Sequence, residues 1–135
     1  MVVARPFFDT NVLLYLLSGD TTKADAVETL LSTGGIISTQ VLNEFASVAT
    51  RKLGMSLVET REVLTGIRAL CDVMPVTEST HDRGLEVAER YGISIYDSMI
   101  VASALLSDCS LLISEDMQHG QMIDKALTVH NPFRK

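Results

Sequence analysis

The stretch PFFDTNVLLYLL, residues 6–17, combines a short apolar strand, an acidic turn and an apolar helix. Phe7 and Phe8 are predicted to form the strand. Pro6 is compatible with this prediction, because proline is tolerated where a strand starts. The helix is predicted over residues 12–17. Asp9 therefore stands at the point where a strand gives way to a helix.

Outward from this stretch, apolar runs of strand length alternate with segments of helical period, which is typical of an α/β fold with a mainly parallel sheet. Thr39 is expected to cap a helix that carries Val41 and Lys52. Further helices are predicted at 21–32, 56–70, 79–91 and 96–106, and further strands at 35–38, 73–76, 111–114 and 127–129. The length of 135 residues predicts a single domain, residues 1–135.

The composition limits the classes of function. No apolar run reaches the ~20 residues of a membrane span, and no signal-peptide pattern opens the chain, so we expect a cytoplasmic protein without a membrane partner. Cys71 and Cys109 are isolated and predicted to be reduced core thiols. The net charge of −6 argues against a protein that binds nucleic acid by charge alone, but it is compatible with a metal-dependent nuclease.

Two acids follow predicted strands. Asp9 comes after the first strand and Asp116 after the strand at 111–114. Ligands of open α/β sheets collect outside the carboxyl ends of the strands, so both are candidates for one site. Either one taken alone also fits an ordinary turn, where Asp is common.

Glu44 lies three residues after Val41 and four before Val48, which places it beside the apolar face of its helix. A carboxylate there needs a partner, a raised pKa or a metal. Arg51 is the alternative partner, in an ion pair.

Asp97 stands at the start of a helix that is apolar nearly all round. An acid is favourable at the positive end of a helix dipole, which is a purely structural explanation. A buried helix, however, is expected to begin at a cleft rather than in bulk water.

Together the four acids suggest a cation site. At ~4 Å and an effective dielectric near 20, a like-charged pair costs on the order of 4 kcal/mol. Oxygen ligands without a His or Cys set favour Mg²⁺, with Mn²⁺ as a substitute. Such an ion activates water for phosphodiester hydrolysis. The spacing alone does not establish that the four acids meet.

Four segments in order resemble the PIN-domain family, and most of all the VapC-type toxins of toxin–antitoxin pairs. They are FFDTNVL at 7–13, VLNEF at 41–45, YDSMIVA at 96–102 and LISED at 112–116. The resemblance covers essentially the whole chain and implies a three-layer α/β/α fold.

The resemblance also implies a metal-dependent endoribonuclease. Asp9, Glu44, Asp97 and Asp116 match the family's acidic catalytic and metal-binding positions, while Asn11 and Ser114 match supporting polar residues. It further implies an RNA substrate, a homodimer and a cognate antitoxin that fills the cleft.

The sequence departs from the family pattern at Gln118, where many members carry another Asp. An amide binds metal only through a neutral oxygen, so we hypothesise one tightly held Mg²⁺ and a second that arrives, if at all, with the substrate. His119, three residues after Asp116, is a further candidate for proton transfer or phosphate contact.

Two other functions remain open at this stage. A phosphatase of the haloacid-dehalogenase kind also has an Asp after its first strand, but it needs a second Asp where this chain has Asn11. A catalytically silent PIN-like scaffold that only binds a partner is the other alternative.

Overall fold

The computed structural model describes residues 5–134, in which strands and helices alternate along the chain. The helices are α1 (Thr10–Leu13), α2 (Thr21–Leu31), α3 (Thr39–Arg51), α4 (Leu57–Leu70), α5 (Glu78–Tyr91) and α6 (Ile95–Leu106). The strands are β1 (Phe7–Phe8), β2 (Gly35–Ser38), β3 (Cys71–Met74), β4 (Leu111–Ile113), β5 (Met122–Ile123) and β6 (Leu127–His130).

The strands form one sheet in the order β3-β2-β1-β4-β6-β5. Neighbouring strands are parallel except β5, which runs antiparallel to β6. The chain moves from β1 outward to β3 and then crosses back to β4. Because such crossovers are right-handed, α1 to α4 cover one face of the sheet and α5 and α6 cover the other. This arrangement confirms the α/β/α fold.

The reversal of direction falls between β1 and β4, which are hydrogen-bonded neighbours at the centre of the sheet. Phe7 pairs with both Ile36 and Leu112, so β1 is flanked on both sides. Phe7 and Phe8 are fully buried, because both faces of a central parallel strand are covered by helices. The carboxyl ends of β1 and β4 therefore open at the point where ligands of doubly wound sheets bind.

Helix α6 is buried nearly all round, as its apolar sequence predicts. Every residue from 98 to 104 is buried. It packs tightly against α5, since a Cβ atom at Gly84 would overlap the side chain of Met99. Helix α6, whose first turn carries Asp97, is thereby held against α5, and it also contacts β2 and β4 of the sheet.

Three local predictions are wrong in detail, and one strand was not predicted. The helix at 12–17 divides into α1 and a 3-10 turn, Leu14–Leu17. Ser38, not Thr39, caps α3, and the hydroxyl of Thr39 instead accepts a hydrogen bond from Val76 N. Strand β3 lies two residues earlier than predicted because Cys71 pairs with Gly35, and Pro75, which has no N–H, follows its end. Strand β5 was not predicted, since two residues show no periodicity.

Asp124, between β5 and β6, connects this antiparallel hairpin to α5. Its carboxylate accepts hydrogen bonds from Arg83, Arg90 and the hydroxyl of Tyr91. The Tyr91 hydroxyl also accepts a hydrogen bond from Asp124 N. Both guanidinium groups form ion pairs with the carboxylate. We call these four residues the Asp124 cluster.

The structure also bears on two predictions from composition. Cys71 and Cys109 are buried and unpaired. Burial raises the pKa of both thiols to about 11, so they are un-ionised at neutral pH. Among residues 5–134, every helix is too short or too polar to cross a lipid bilayer.

Candidate active site

The four predicted acids line a single open cleft of about 330 Å³ at the carboxyl ends of β1 and β4. We call it the carboxylate cleft. Asp9 follows β1, Glu44 comes from α3, Asp97 from the first turn of α6, and Asp116 from the loop after β4. The remaining lining residues are Thr10, Asn11, Leu14, Ser47 and Val48.

Asp9 lies at the base of the cleft and is only 4 % exposed. Its Oδ1 accepts a hydrogen bond from Thr10 N at 2.7 Å. Its Oδ2 accepts from Ser114 Oγ at 2.9 Å and from Asn11 Nδ2 at 3.3 Å. Burial outweighs these donors and raises the pKa of Asp9 to about 6, with smaller contributions from the charges of Asp97 and Glu44. Asn11 and Ser114, the two polar residues singled out in the sequence, thus both contact Asp9.

Glu44 is half-buried and is held by two neutral donors. Thr10 Oγ1 donates to its Oε1 at 2.7 Å, and Gln40 Nε2 donates to its Oε2 at 3.3 Å. Within residues 5–134 neither Glu44 nor Arg51 forms a salt bridge, so the ion-pair alternative is wrong.

Thr10 and Gln40 are site residues that the sequence did not predict. Thr10 links two acids, because its backbone N–H binds Asp9 while its hydroxyl binds Glu44. Gln40 precedes Glu44 by one helical turn, a spacing that places the two side chains on the same face. That spacing was a usable signal, whereas the Thr10–Glu44 contact depends on the packing of α1 against α3.

Asp97 and Asp116 lie closer to solvent. Asp97 is half-buried in the first turn of α6, where Ser94 accepts a hydrogen bond from its backbone N–H. Burial raises the pKa of Asp97, and the charges of Asp116 and Glu44 raise it further. Asp116 is exposed. The two acids are therefore near enough to repel each other.

Among residues 5–134, no cationic side chain lines the carboxylate cleft. In the part of the chain that the structure describes, none of its four acids takes part in a salt bridge. Nor do any three His, Cys, Asp or Glu side chains of residues 5–134 stand close enough together to form a ready-made metal cage. The donors are all oxygens that face a water-accessible cleft, which suits an ion that keeps part of its water shell.

The two further candidates lie outside the residues that line the cleft. Gln118 is exposed. Nδ1 of His119 accepts a hydrogen bond from Asn131 N at 3.0 Å, and its ring lies 5.2 Å from that of His130. The geometry therefore gives His119 a structural contact, and neither side chain is among the residues that line the cleft.

Comparisons with known proteins give a family and several structural relatives. A family model described as PIN domain matches residues 7–123. A chain of a toxin–antitoxin complex from Klebsiella pneumoniae is similar at 21% identity and a TM-score of 0.73, covering 96% of this chain and 99% of that one. No curated protein sequence matches.

Two further solved structures share the fold. VapC20 from Mycobacterium tuberculosis, described as a sarcin-ricin loop cleaving toxin, is 18% identical with a TM-score of 0.65, over 82% of this chain and 88% of that one. A chain of DNA-bound VapBC from Salmonella typhimurium is 16% identical with a TM-score of 0.71, over 96% and 99%. Since the family model spans most of the chain and the sheet has the same architecture as these relatives, the protein belongs to the PIN domain family.

Proposed function

We propose that this protein is a Mg²⁺-dependent endoribonuclease and the toxin of a toxin–antitoxin module. The observation that carries the proposal is the carboxylate cleft, which is lined by four acids from separate parts of the chain, none of which has a basic partner among residues 5–134. Family membership and relatives that are described as toxins support the same activity.

The donor set fits magnesium. Mg²⁺ keeps several waters and is usually held by one or two carboxylates, so a cleft without a closed cage is suitable. We assign the ligand role to Asp9, Glu44, Asp97 and Asp116, with Mn²⁺ as a substitute ion. When bound, the ion supplies a water activated for attack on phosphorus and stabilises the charge on the phosphate oxygens.

The protein's own residues orient these oxygens. Three donors hold the carboxylate of Asp9 in one rotamer: Thr10 N, Ser114 Oγ and Asn11 Nδ2. Thr10 Oγ1 and Gln40 Nε2 do the same for Glu44. Such supporting contacts commonly affect metal affinity or activity by about 10- to 100-fold. Hydrolysis would form a bond between the water oxygen and phosphorus and break one phosphorus–oxygen bond of the RNA backbone, with the leaving oxygen taking up a proton in exchange for the one that the water loses.

The partners of this chain are proposed from its relatives. The Klebsiella chain is described as part of a toxin–antitoxin complex, the Salmonella chain as part of DNA-bound VapBC, and the Mycobacterium protein as a sarcin-ricin loop cleaving toxin. We infer that the protein acts on RNA in the cytoplasm and forms a homodimer. We also infer a cognate antitoxin that inhibits cleavage by filling the cleft. The phosphatase alternative loses support, since Asn11, at the position that needs a second Asp, is a neutral donor to Asp9.

The test is cleavage of total RNA with and without Mg²⁺ or Mn²⁺. We expect metal-dependent cleavage by the wild type and a loss of more than about 100-fold in Asp9→Asn, because the substitution removes a proposed ligand rather than a supporting contact. Asp124→Asn, which changes an acid outside the cleft, is the matched control and should retain cleavage.

Three outcomes would contradict the proposal. The wild type does not cleave RNA with either metal, or Asp9→Asn cleaves as fast as the wild type, or the protein hydrolyses para-nitrophenyl phosphate but not RNA. The last result would indicate a phosphatase. Binding of a partner without any metal-dependent turnover would indicate the silent scaffold.

A further inference from the structure

A second cavity, of about 480 Å³, adjoins the carboxylate cleft and shares Glu44 with it. Its walls come from α3, the segment after β3, and the starts of α5 and α6. The lining includes Asn43, Val76, His81, Ile95 and Tyr96. Its volume lies in the range of ligand-binding pockets. We call it the Tyr96 cavity.

Tyr96 presents an exposed aromatic ring beside the proposed metal ligands. It is 73% exposed and directly precedes Asp97. Its carbonyl oxygen accepts a hydrogen bond from Gln40 Nε2 at 3.1 Å, and the same amide donates to Glu44. The aromatic residue and the acid are therefore held in a defined relation by one side chain.

The rest of the cavity is apolar with polar edges. Ile95 and Val76 are 49% and 41% exposed, so a broad hydrophobic surface continues from the Tyr96 ring. The amide of Asn43 and the imidazole of His81 are exposed, and the hydrogen bonds of residues 5–134 do not use them. The cavity thus offers both a flat apolar surface and free hydrogen-bonding groups.

The charge of the lining distinguishes between ligand classes. No Lys or Arg lines the cavity, and Glu44 is its one charged lining residue among those the structure describes. A phosphate would need a cation at this place. An uncharged planar ring with donors and acceptors on its edge, as in a nucleobase, matches both the apolar surface and the free polar groups.

We propose that the Tyr96 cavity binds an unstacked nucleobase next to the scissile phosphate, with the base stacked on the ring of Tyr96. This inference rests on the proposed function, since the phosphate must occupy the carboxylate cleft. Proteins recognise single-stranded RNA through bases that stack on aromatic side chains and bond along their edges. Tyr96 is here a substrate-positioning residue, and Asn43 and His81 are the groups that read the base edge.

The experiment compares Tyr96→Ala and Tyr96→Phe with the wild type on a short random-sequence single-stranded RNA in Mg²⁺. Loss of one base–aromatic stack is expected to raise KM about tenfold in Tyr96→Ala. The value of kcat should stay within about twofold, because no proposed metal ligand changes. Tyr96→Phe keeps the ring and should retain the wild-type KM.

Leu57→Ala is the matched control, since Leu57 is 71% exposed on α4 and lines neither the carboxylate cleft nor the Tyr96 cavity. It should leave KM unchanged. Stabilisation of the fold by Mg²⁺ alone should be the same in Tyr96→Ala as in the wild type. That readout does not depend on RNA.

The outcomes separate this inference from the proposed function. A wild type that neither cleaves RNA nor is stabilised by Mg²⁺ overturns both. Cleavage by the wild type with an unchanged KM in Tyr96→Ala overturns the nucleobase subsite alone, and so does an equal rise of KM in Tyr96→Phe. An unchanged KM with an altered oligomeric state in size-exclusion chromatography would assign the surface to a protein partner instead.

Discussion

The carboxylate cleft and the Asp124 cluster are both built around acidic side chains, yet their electrostatics are opposite. In the cleft, burial and neighbouring acids raise the pKa of Asp9 and of Asp97. In the cluster, Tyr91 and two arginines overcome burial and lower the pKa of Asp124. The residue type is the same: burial without a cationic partner raises the pKa, and the hydroxyl and arginine partners of Asp124 reverse the sign.

The difference matches the roles we propose for the two regions, a functional one for Asp9 and a structural one for Asp124. The carboxylate of Asp124 forms ion pairs with Arg83 and Arg90, so its charge stabilises the attachment of the hairpin to α5. Asp9 has only neutral donors and remains uncompensated when ionised. A fold tolerates such a site when a cation from outside completes it, and perturbed acids in a cleft are accordingly indicators of function.

The largest expected effect concerns the pH dependence of the metal-free protein. The pKa of Asp9 in the folded state, about 6, lies above its ordinary 3.8. The contribution of Asp9 to the free energy of unfolding is therefore greatest below about pH 3.8, and it is lost as the pH rises through about 6. The difference corresponds to about 3 kcal/mol, of which about two thirds falls between about pH 4.5 and about pH 7.5.

Urea unfolding in EDTA at those two pH values measures this effect. Asp9→Asn lacks the titrating group, so its stability relative to the wild type should rise with pH. An equal loss of stability in both proteins would show that Asp9 is not the group that titrates. Asp124→Asn should show no such gain, since the pKa of Asp124 is lowered and its contribution is lost only in acid.

The next effect is stabilisation by the proposed cation. Mg²⁺ at 100 times its dissociation constant should add about 2.7 kcal/mol to the free energy of unfolding. Thermal unfolding at constant ionic strength measures it, and Asp9→Asn should lose most of the gain. If Mg²⁺ does not stabilise the wild type, or if it stabilises Asp9→Asn by as much, the proposed difference between the carboxylate cleft and the Asp124 cluster is wrong.

The smallest effect concerns the Asp124 cluster. Asp124→Asn should lower the free energy of unfolding by about 2 kcal/mol, because charge-assisted hydrogen bonds to a carboxylate that is only 13% exposed are lost. Asn tolerates the left-handed backbone of this position, φ +50°, so strain is not added. Chemical denaturation of the variant measures the loss.

Asp108→Asn is the matched control for this last effect. Asp108 has a similar backbone, φ +57°, but its exposed side chain forms no ion pair among residues 5–134. Its stability should change by less than about 0.5 kcal/mol. Equal losses in the two variants would attribute the effect to the backbone position rather than to the arginines.

Much of the fold follows from local patterns. Apolar periodicity predicts the bounds of most helices and strands to within a few residues of those in the structure. This is possible because the period of buried side chains is a property of each segment alone. Errors occur where a distant segment decides. The pairing of Cys71 with Gly35 sets where β3 lies, and Ser38 takes the capping position that Thr39 was expected to hold.

The candidate site divides in the same way. Each acid was identified by its own surroundings: Asp9 and Asp116 by the strands before them, Glu44 by its helix face, and Asp97 by the helix it begins. The contact between Thr10 and Glu44, and the contact of His119 with Asn131 N, could not be predicted, since both depend on how separate segments pack.

The sequence by itself determined which side chains are available and at which ends of helices and strands they stand, because backbone propensity and periodicity are local. Only the tertiary structure decided which acids share a cleft and which are matched by arginine. The strand order, which reverses between β1 and β4, gathers the first set, while the hairpin docked on α5 creates the second. Charge compensation depends on separation in space, and positions along the chain do not contain that information.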